Sequence, residues 1–330
     1  MFEPTAEESE RNGDFDAAAA KRSARRFGWI GGAMIGTGAI LWLGAASFVA
    51  WRLRYPPFLE EGRTDVYGPH APAVGPATSA DQRAAIGAPL ESVSIPVGKH
   101  LAVQGWFVGG KLPVAVLIVP AAGGGRSAML PYMKLMHSAG YATLAIDSGD
   151  SINRGTGWGW RERATVLAAA DSLKRRGFAN IAGLGVSEGA AAIILAQAER
   201  PVFKAIIADS AYRNLAAMFA RSPSIAALNP AFAQTVMLEA SFLIGHPLWR
   251  IDPARAARTL GGAAIFVIQN RGDPIVTPAD AEAIASAAGP SHAQLWIVPA
   301  DGHGDAIYEA PEAYAARVIG FLQTHSQAQE

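Results

Sequence analysis

One serine of this chain, Ser187, lies between two glycines in the pattern G-x-S-x-G, which runs from Gly185 to Gly189. An apolar run at residues 181–186 leads into the pattern, and an alanine-rich helix former follows it. In such a strand–turn–helix the serine hydroxyl stands clear of the sheet edge, where it can attack a carbonyl carbon. The two glycines keep Cβ atoms out of a turn where strand and helix nearly collide. The pattern is permissive by itself, but its setting indicates a nucleophile for acyl transfer.

A serine hydroxyl needs a base to take its proton, and an imidazole that titrates near neutral pH suits this role. The chain has seven histidines. Only His303 follows a predicted core strand, at residues 293–298, within a glycine-flanked loop. Because the carboxyl ends of parallel strands meet at one edge of a sheet, we expect His303 to lie beside Ser187.

Two aspartates are candidates to hold the imidazole in its working tautomer and to stabilise the imidazolium. Asp273 lies a few residues after the apolar run 263–268, and Asp209 directly follows the run 205–208. Both positions fall at the sheet edge where Ser187 is expected. The residues alone leave both carboxylates open.

The composition limits the chemistry further. Half of the 330 residues are apolar, the formal net charge is zero and there is no cysteine. Disulfides, thiolate catalysis and cysteine-ligated metals are therefore excluded, and no histidine–carboxylate cluster with metal spacing is visible. A neutral chain has no overall electrostatic attraction for nucleic acid. We expect no cofactor, no metal and no nucleic-acid partner, and we expect a small acyl or ester substrate with water.

The elements that must position these groups follow from the apolar pattern. Two segments that alternate apolar and polar residues, 90–98 and 101–109, predict a hairpin of half-buried strands. Six short apolar runs follow, separated by helical stretches, at 114–119, 142–146, 181–186, 205–208, 263–268 and 293–298. Such runs are typical of parallel strands covered on both faces. The sequence therefore predicts an α/β fold with a mostly parallel, doubly wound sheet of eight strands.

Between the sixth and seventh predicted strands lies an insert that is longer than one crossover helix requires. Its residues 213–258 predict a small helical cap that is rich in apolar side chains. Phe232 and Phe242 are the candidate substrate-binding residues of this cap, and they favour an apolar acyl or aromatic group. The alternative, which we weigh equally, is that these side chains only pack the cap onto the sheet.

The N-terminal part of the chain divides by composition into three segments. Residues 1–26 are polar and are expected to be disordered, and residues 52–88 contain several prolines that predict a spacer. Residues 27–51 carry no charged side chain and exceed the roughly 20 residues that cross a bilayer, so they predict one transmembrane helix. More basic residues precede this helix than follow it, which predicts a cytoplasmic N-terminus and an extracytoplasmic catalytic domain at residues 89–325. The alternative is a signal peptide cleaved near residues 44–46.

Residues 90–322 resemble the α/β-hydrolase superfamily, specifically its small single-domain serine hydrolases of the serine aminopeptidase or BEM46-like type. The resemblance rests on GYATLAID at 140–147, GVSEGA at 185–190, QNRGDPIVTP at 269–278 and DGHGD at 301–305. The family's chain order of Ser, Asp and His implies that Asp273, and not Asp209, orients His303.

The resemblance also implies an oxyanion hole made of two backbone amides. One belongs to Glu188, the residue after the nucleophile. The other belongs to the loop after the third strand, at Ala122 or failing that at Ala121. Relatives usually carry a His-Gly pair in this loop, where this chain has Pro120 and Ala121. This departure leaves the second donor open between the two alanines.

Together the residues and the resemblance predict a membrane-anchored serine hydrolase that cleaves an ester through an acyl-enzyme. A peptidase or an acyltransferase would use the same three side chains, because these activities differ in the pocket. A catalytically inactive, membrane-tethered binding protein is the alternative from another class. The sequence does not indicate the oligomeric state.

Overall fold

The computed structural model describes residues 21, 22, 25, 34, 36–56, 86–148 and 155–326. The strands within these residues form one eight-stranded sheet in the order β1-β2-β4-β3-β5-β6-β7-β8. They are β1 Glu91–Val97, β2 Leu101–Val108, β3 Val114–Val119, β4 Ala142–Ile146, β5 Asn180–Val186, β6 Ala205–Asp209, β7 Ala264–Gly272 and β8 Ala293–Asp301. β2 pairs antiparallel with β1 and β4, and the other neighbours are parallel. The predicted hairpin and the predicted mostly parallel sheet are therefore confirmed.

Helices connect the strands as the predicted α/β pattern requires. Among the described residues, helix α1 includes residues 36–54 and precedes the sheet. The helices that follow are α2 Leu130–Ser138, α3 Glu162–Arg175, α4 Glu188–Glu199, α5 Leu215–Arg221, α6 Pro223–Ala226, α7 Pro230–Ile244, α8 Pro253–Ala256, α9 Pro278–Ala288, α10 Ala306–Glu309 and α11 Pro311–His325. Several of them begin at a proline, which lacks the amide hydrogen that a first turn leaves unpaired.

The sheet is covered on both faces, which explains its continuous apolar strands. Helices α3, α4 and α9 pack on one face around Leu117, Ile193 and Ile265. Helices α2 and α11 pack on the other face around Ile118 and Met133. Because successive side chains of a strand point to opposite faces, the neighbours Leu117 and Ile118 belong to different layers of the core.

Helices α5 to α8 lie between β6 and β7, where the insert of residues 213–258 was predicted. Their apolar core joins Phe219 and Val236 to Ala122 and Trp158. Ala122 belongs to the loop at the carboxyl end of β3. These helices therefore form a cap over the edge of the sheet where parallel strands end.

The N-terminal helix α1 packs against this cap with its C-terminal half. Ala46 and Ala50 are fully buried there. One turn earlier, Nε1 of Trp42 donates a hydrogen bond to Oγ1 of Thr235 on α7 at 3.2 Å. The cap and α1 thus share one apolar core.

The predicted N-terminal segments fall only partly on described residues. Among the residues that the structure describes, no helix is long and apolar enough to cross a membrane. Part of the predicted transmembrane segment 27–51 lies outside the described residues. So do residues 57–85 of the predicted spacer and most of the predicted tail.

Candidate active site

The predicted nucleophile lies on a strained turn between β5 and α4, residues 185–189, which we call the elbow. Ser187 has a φ of +54°, a region that residues with a Cβ rarely adopt. A Cβ on Gly185 would lie 2.5 Å from the amide nitrogen of Ala190. A Cβ on Gly189 would lie 2.4 Å from the carbonyl oxygen of Val119. The backbone is too close at both positions for any side chain, so both must be glycine. The turn that they allow places Ser187 at the N-terminus of α4.

The Ser187 hydroxyl is hydrogen-bonded to the predicted base. Its Oγ lies 2.8 Å from Nε2 of His303, and Nδ1 of the same ring lies 2.7 Å from Oδ2 of Asp273. With a proton on Nδ1, the ring donates to the carboxylate and can accept the serine proton at Nε2. The three side chains form one hydrogen-bonded chain, and their catalytic roles stay a prediction.

The carboxylate of Asp273 is held by the loop that follows β7. Its Oδ1 accepts hydrogen bonds from the amides of Ile275 and Val276 at 2.8 and 3.0 Å. Its Oδ2, which faces His303, also accepts one from Nε2 of Gln269 at 2.9 Å. Gln269 is not among the residues predicted for the site, although a polar side chain at the end of a buried apolar strand was a signal for it.

Asp209, the other candidate acid, is not the partner of His303 Nδ1. Its Oδ1 accepts a hydrogen bond from Oγ of Ser210 at 3.0 Å, and its carbonyl oxygen accepts one from the Ser187 amide at 2.8 Å. Oγ of Ser210 also accepts from the Gly304 amide at 3.1 Å. Burial raises the pKa of Asp209 to about 7. Asp209 therefore braces the chain on both sides of the site instead of orienting the imidazole.

Burial and charge act in opposite directions on the imidazole. Burial lowers the pKa of His303, because it disfavours the charged ring, while the Asp273 carboxylate raises it by its charge and its hydrogen bond. Asp209 and Asp305 add smaller upward contributions, and the net pKa lies above the ordinary value of 6.5. The arrangement thus stabilises an imidazolium next to Ser187.

The two predicted oxyanion donors belong to segments that meet at the elbow. Glu188 is the first residue of α4, and the amides of a first helical turn have no acceptor within the helix. The loop after β3 passes against Gly189, where a Cβ would lie 2.4 and 2.5 Å from the carbonyl oxygens of Val119 and Pro120. Ala122, further along this loop, is buried in the core of the cap. The assignment of the amides of Glu188 and Ala122 as donors stays a prediction.

The side chain of Glu188 is buried beneath the loop 155–160, a contact that the sequence analysis missed. Its Oε1 accepts hydrogen bonds from Oγ1 of Thr156 at 2.5 Å and from the Gly159 amide at 3.2 Å. Glu162 accepts from the same Gly159 amide at 2.9 Å. Burial and then the neighbouring Glu162 raise the pKa of Glu188 well above its usual range. The loop is thereby fixed to the residue that follows the predicted nucleophile.

The same loop is joined to the N-terminal helix. Nε1 of Trp158 donates a hydrogen bond to the Leu53 carbonyl at 2.9 Å, and the Thr156 amide donates to the Arg54 carbonyl at 2.9 Å. On the cap side, the Tyr212 hydroxyl donates to the Trp158 carbonyl. The loop 155–160 therefore connects the last turn of α1 with the elbow.

A cavity of about 560 Å³ lies between α1, the cap and the loop that follows β7. Its lining is largely apolar and includes Leu53, Trp158, Met218, Ile225 and Ile275. Because the Ile275 amide is hydrogen-bonded to the Asp273 carboxylate, one wall of the cavity lies next to the hydrogen-bonded side chains of Asp273, His303 and Ser187.

The predicted substrate-binding residues lie elsewhere on the cap. Phe232 packs edge-to-face on Trp42 of α1 with 5.0 Å between ring centroids. Phe242 lies on the outside of α7, with 86 % of its surface exposed. Neither side chain is among those that line the cavity.

Several solved structures are similar to this chain at low sequence identity. The Pyrococcus furiosus esterase Pf2001 has a TM-score of 0.63 and 23 % identity, over 77 % of this chain and 98 % of that one. An acylaminoacyl peptidase of Pyrococcus horikoshii has a TM-score of 0.59 and 15 % identity, over 74 % of this chain and 42 % of that one. Est1E from Butyrivibrio proteoclasticus has a TM-score of 0.53 and 17 % identity, over 70 % of this chain and 99 % of that one.

No family model and no curated protein matches the sequence. The structural similarities, the order of the strands and the elbow define the class: this chain has the α/β-hydrolase fold. Its activity has to be argued from the site, because one fold carries many chemistries.

Proposed function

We propose that this protein is a serine hydrolase that cleaves carboxylic esters through an acyl-enzyme on Ser187. The observation that carries the proposal is the chain of two hydrogen bonds from Ser187 to His303 and from His303 to Asp273. This hydrogen-bonded series begins at an elbow on a helix N-terminus, where the hydroxyl and the amides of a first helical turn occur together. A buried imidazole with a perturbed pKa between a hydroxyl and a carboxylate is typical of catalytic sites.

In the proposed reaction His303 removes the proton of Ser187 while Oγ attacks the carbonyl carbon of the ester. The carbonyl oxygen becomes an oxyanion, which the amides of Glu188 and Ala122 stabilise. The bond to the alcohol oxygen breaks, and His303 gives its proton to that oxygen, which leaves the acyl group bound to Ser187. Water, deprotonated by the same imidazole, then hydrolyses the acyl-enzyme. Asp273 stabilises the imidazolium in both steps.

The cavity supports an apolar acyl group as the part of the substrate that the protein recognises. Its volume of about 560 Å³ falls within the range of ligand pockets. Each Å² of apolar surface removed from water contributes about 25 cal/mol, so a longer acyl chain in this cavity binds more tightly. A peptidase or an acyltransferase on the same three side chains is the second candidate. The apolar lining favours the ester, because a peptide backbone would need hydrogen-bond partners.

A fluorophosphonate probe tests the nucleophile, because it reacts with a serine that a base activates. We expect labelling of the wild type and none of Ser187→Ala. Ser210→Ala is the control and should be labelled, because Ser210 also has a positive φ at this sheet edge but bonds to Asp209. An unlabelled wild type, or equal labelling of Ser187→Ala, would instead favour the inactive binding protein.

Hydrolysis rates for a series of esters test the proposed acyl site. We expect kcat/KM to rise with acyl chain length in the wild type. Met218→Trp fills part of the cavity, so its optimum should move to shorter chains. Leu295→Trp, the same kind of change at an exposed position on β8, should keep the wild-type profile. If kcat/KM of the wild type did not change with acyl chain length, the cavity would not be the acyl-binding site.

We further propose that residues 27–51 hold the protein at a membrane, with a cytoplasmic N-terminus and the catalytic domain on the extracytoplasmic side. The uncharged run and the excess of basic residues before it support this topology. Protease added to intact cells should remove a C-terminal tag. Protection of the tag until the cells are permeabilised would contradict the topology.

A further inference from the structure

The N-terminal half of α1 is exposed on all sides. Every residue from 36 to 45 is solvent-exposed, including Ile40 at 72 % and Leu41 at 68 %. The following turns differ, because Ala46 and Ala50 are fully buried against the cap. The exposed turns carry mostly apolar side chains, and Trp42 among them also contacts the cap.

The outer side of cap helix α7 continues this apolar surface. Trp42 of α1 packs on Phe232 and donates a hydrogen bond to Thr235, and both partners belong to α7. Phe242 lies about two helical turns beyond Thr235, which places it on the same side of α7. Leu238 lies between them and is 53 % exposed.

We call the exposed side chains of Ile40, Leu41, Leu238 and Phe242, on the two helices that Trp42 joins, the outer patch. Large apolar side chains are more stable when they are removed from water. An exposed patch of several such side chains marks contact with another molecule. α7 carries one charged residue, Glu239, which lies four residues after Thr235 and therefore near the side of Phe242.

The surroundings of the outer patch fit a lipid bilayer. The chain carries no charge from residue 27 to 51, so the exposed turns of α1 belong to a continuous uncharged sequence. Trp42 and Trp51 are exposed on α1, and indole rings favour the membrane interface. Arg52 and Arg54 follow at its C-terminal end, where they can attract anionic headgroups.

We propose that the outer patch is a second membrane contact, by which the cap itself rests on one leaflet of a lipid bilayer. The proposal rests on the membrane attachment proposed for residues 27–51; because α1 and the cap share one apolar core, that attachment brings the cap close to the same leaflet. With the outer patch in lipid, the cavity wall formed by Val49 and Leu53 of α1 lies next to the bilayer. A lipid-derived ester then reaches the cavity without crossing water.

Single-cysteine labelling tests this contact directly, because the chain has no cysteine of its own. Phe242→Cys carries an environment-sensitive dye in the full-length protein, reconstituted into phosphatidylcholine–phosphatidylglycerol vesicles with or without brominated acyl chains. Leu295→Cys is the matched control, an exposed leucine on the edge strand β8. Ile40→Cys reports the attachment of α1 separately.

We expect the dye at residue 242 to emit at shorter wavelength in vesicles and to lose most of its intensity to brominated lipid, whereas the dye at residue 295 does neither. Quenching at residue 40 without quenching at residue 242 would overturn the cap contact and leave the attachment standing. Quenching at neither would overturn both, while fluorophosphonate labelling of Ser187 still tests the enzyme. A shift at residue 242 that needs no lipid and grows with protein concentration would assign the outer patch to a second copy of the chain.

Discussion

In the proposed mechanism, the charge of His303 decides whether Ser187 can react. A protonated ring cannot accept the serine proton, so kcat/KM falls as the pH drops through the pKa of the imidazole. Burial lowers this pKa, but the Asp273 carboxylate outweighs burial and the net shift is upward. The loss of activity in acid should therefore begin at a higher pH than an ordinary histidine would cause.

We expect the acid limb of the pH profile of kcat/KM to have its midpoint above pH 6.5. Asp273→Asn removes the largest upward contribution, so the midpoint should move to lower pH. The same change should lower kcat by about 10⁴-fold, because the ring loses its working tautomer. Asp301→Asn, which removes a carboxylate two residues before His303, should leave the midpoint in place. An unchanged midpoint in Asp273→Asn would contradict the proposed role of this carboxylate.

The residues of the site could be predicted to different degrees. Ser187 and His303 follow apolar runs and stand between glycines, which are local signals. The choice between Asp273 and Asp209 was not local, because both follow buried strands. The choice depends on the turn that fixes Asp273 through two backbone amides, and on the hydrogen bond from Gln269. The order of motifs in the family could imply this choice, but the residues by themselves could not.

The elbow depends on close backbone contacts that a side chain at its glycines would break. Gly189→Ala places a Cβ 2.4 Å from the Val119 carbonyl oxygen, a contact that only movement of the backbone can relieve. We expect a lower unfolding temperature and a lower kcat. Gly320→Ala on α11 meets nothing within 4 Å and should raise stability by up to about 1 kcal/mol, because alanine is the better helix former. Equal unfolding temperatures for the two variants would contradict this account of the elbow.

The strands could be predicted because each apolar run is a short, continuous stretch of sequence. The position of α1 could not be predicted in this way, because it depends on contacts with distant residues. Its hydrogen bonds join residues that are 193 and 105 positions apart in the chain. Phe232 and Phe242 illustrate the same limit. The apolar composition of the cap predicted residues that line a pocket, but the side of α7 on which each residue falls decides what it contacts. Phe232 packs on α1, and Phe242 faces outward.

Buried carboxyl groups make the stability of the whole molecule depend on pH. Burial raises the pKa of Asp209 from 3.8 to about 7. Between these pH values the folded protein holds a proton that the unfolded chain releases. The stability that Asp209 contributes is therefore fully present in acid and is lost as the pH rises from about 4 to about 7.

Asp209→Asn removes this ionisation and keeps an acceptor for Ser210. We expect the variant to unfold at a higher temperature than the wild type above pH 7, and the difference to shrink at pH 5. The gain is at most about 4 kcal/mol, because one pKa unit corresponds to about 1.4 kcal/mol. Asp171→Asn should instead lower the unfolding temperature at neutral pH, since Arg200 lowers the pKa of Asp171. An Asp209→Asn difference that is independent of pH would contradict the prediction.

The contacts of α1 also determine where the chain can be shortened. Deletion through Pro56 would remove the carbonyl oxygens of Leu53 and Arg54, leave Trp158 and Thr156 without these acceptors, and open one wall of the cavity. Deletion that stops at residue 40 would keep these contacts, and also the packing of Trp42 on Phe232 and its hydrogen bond to Thr235. A trimmed protein for crystallisation or assay should therefore start at about residue 41, part-way through a helix, although the composition alone would place the cut in the spacer after it.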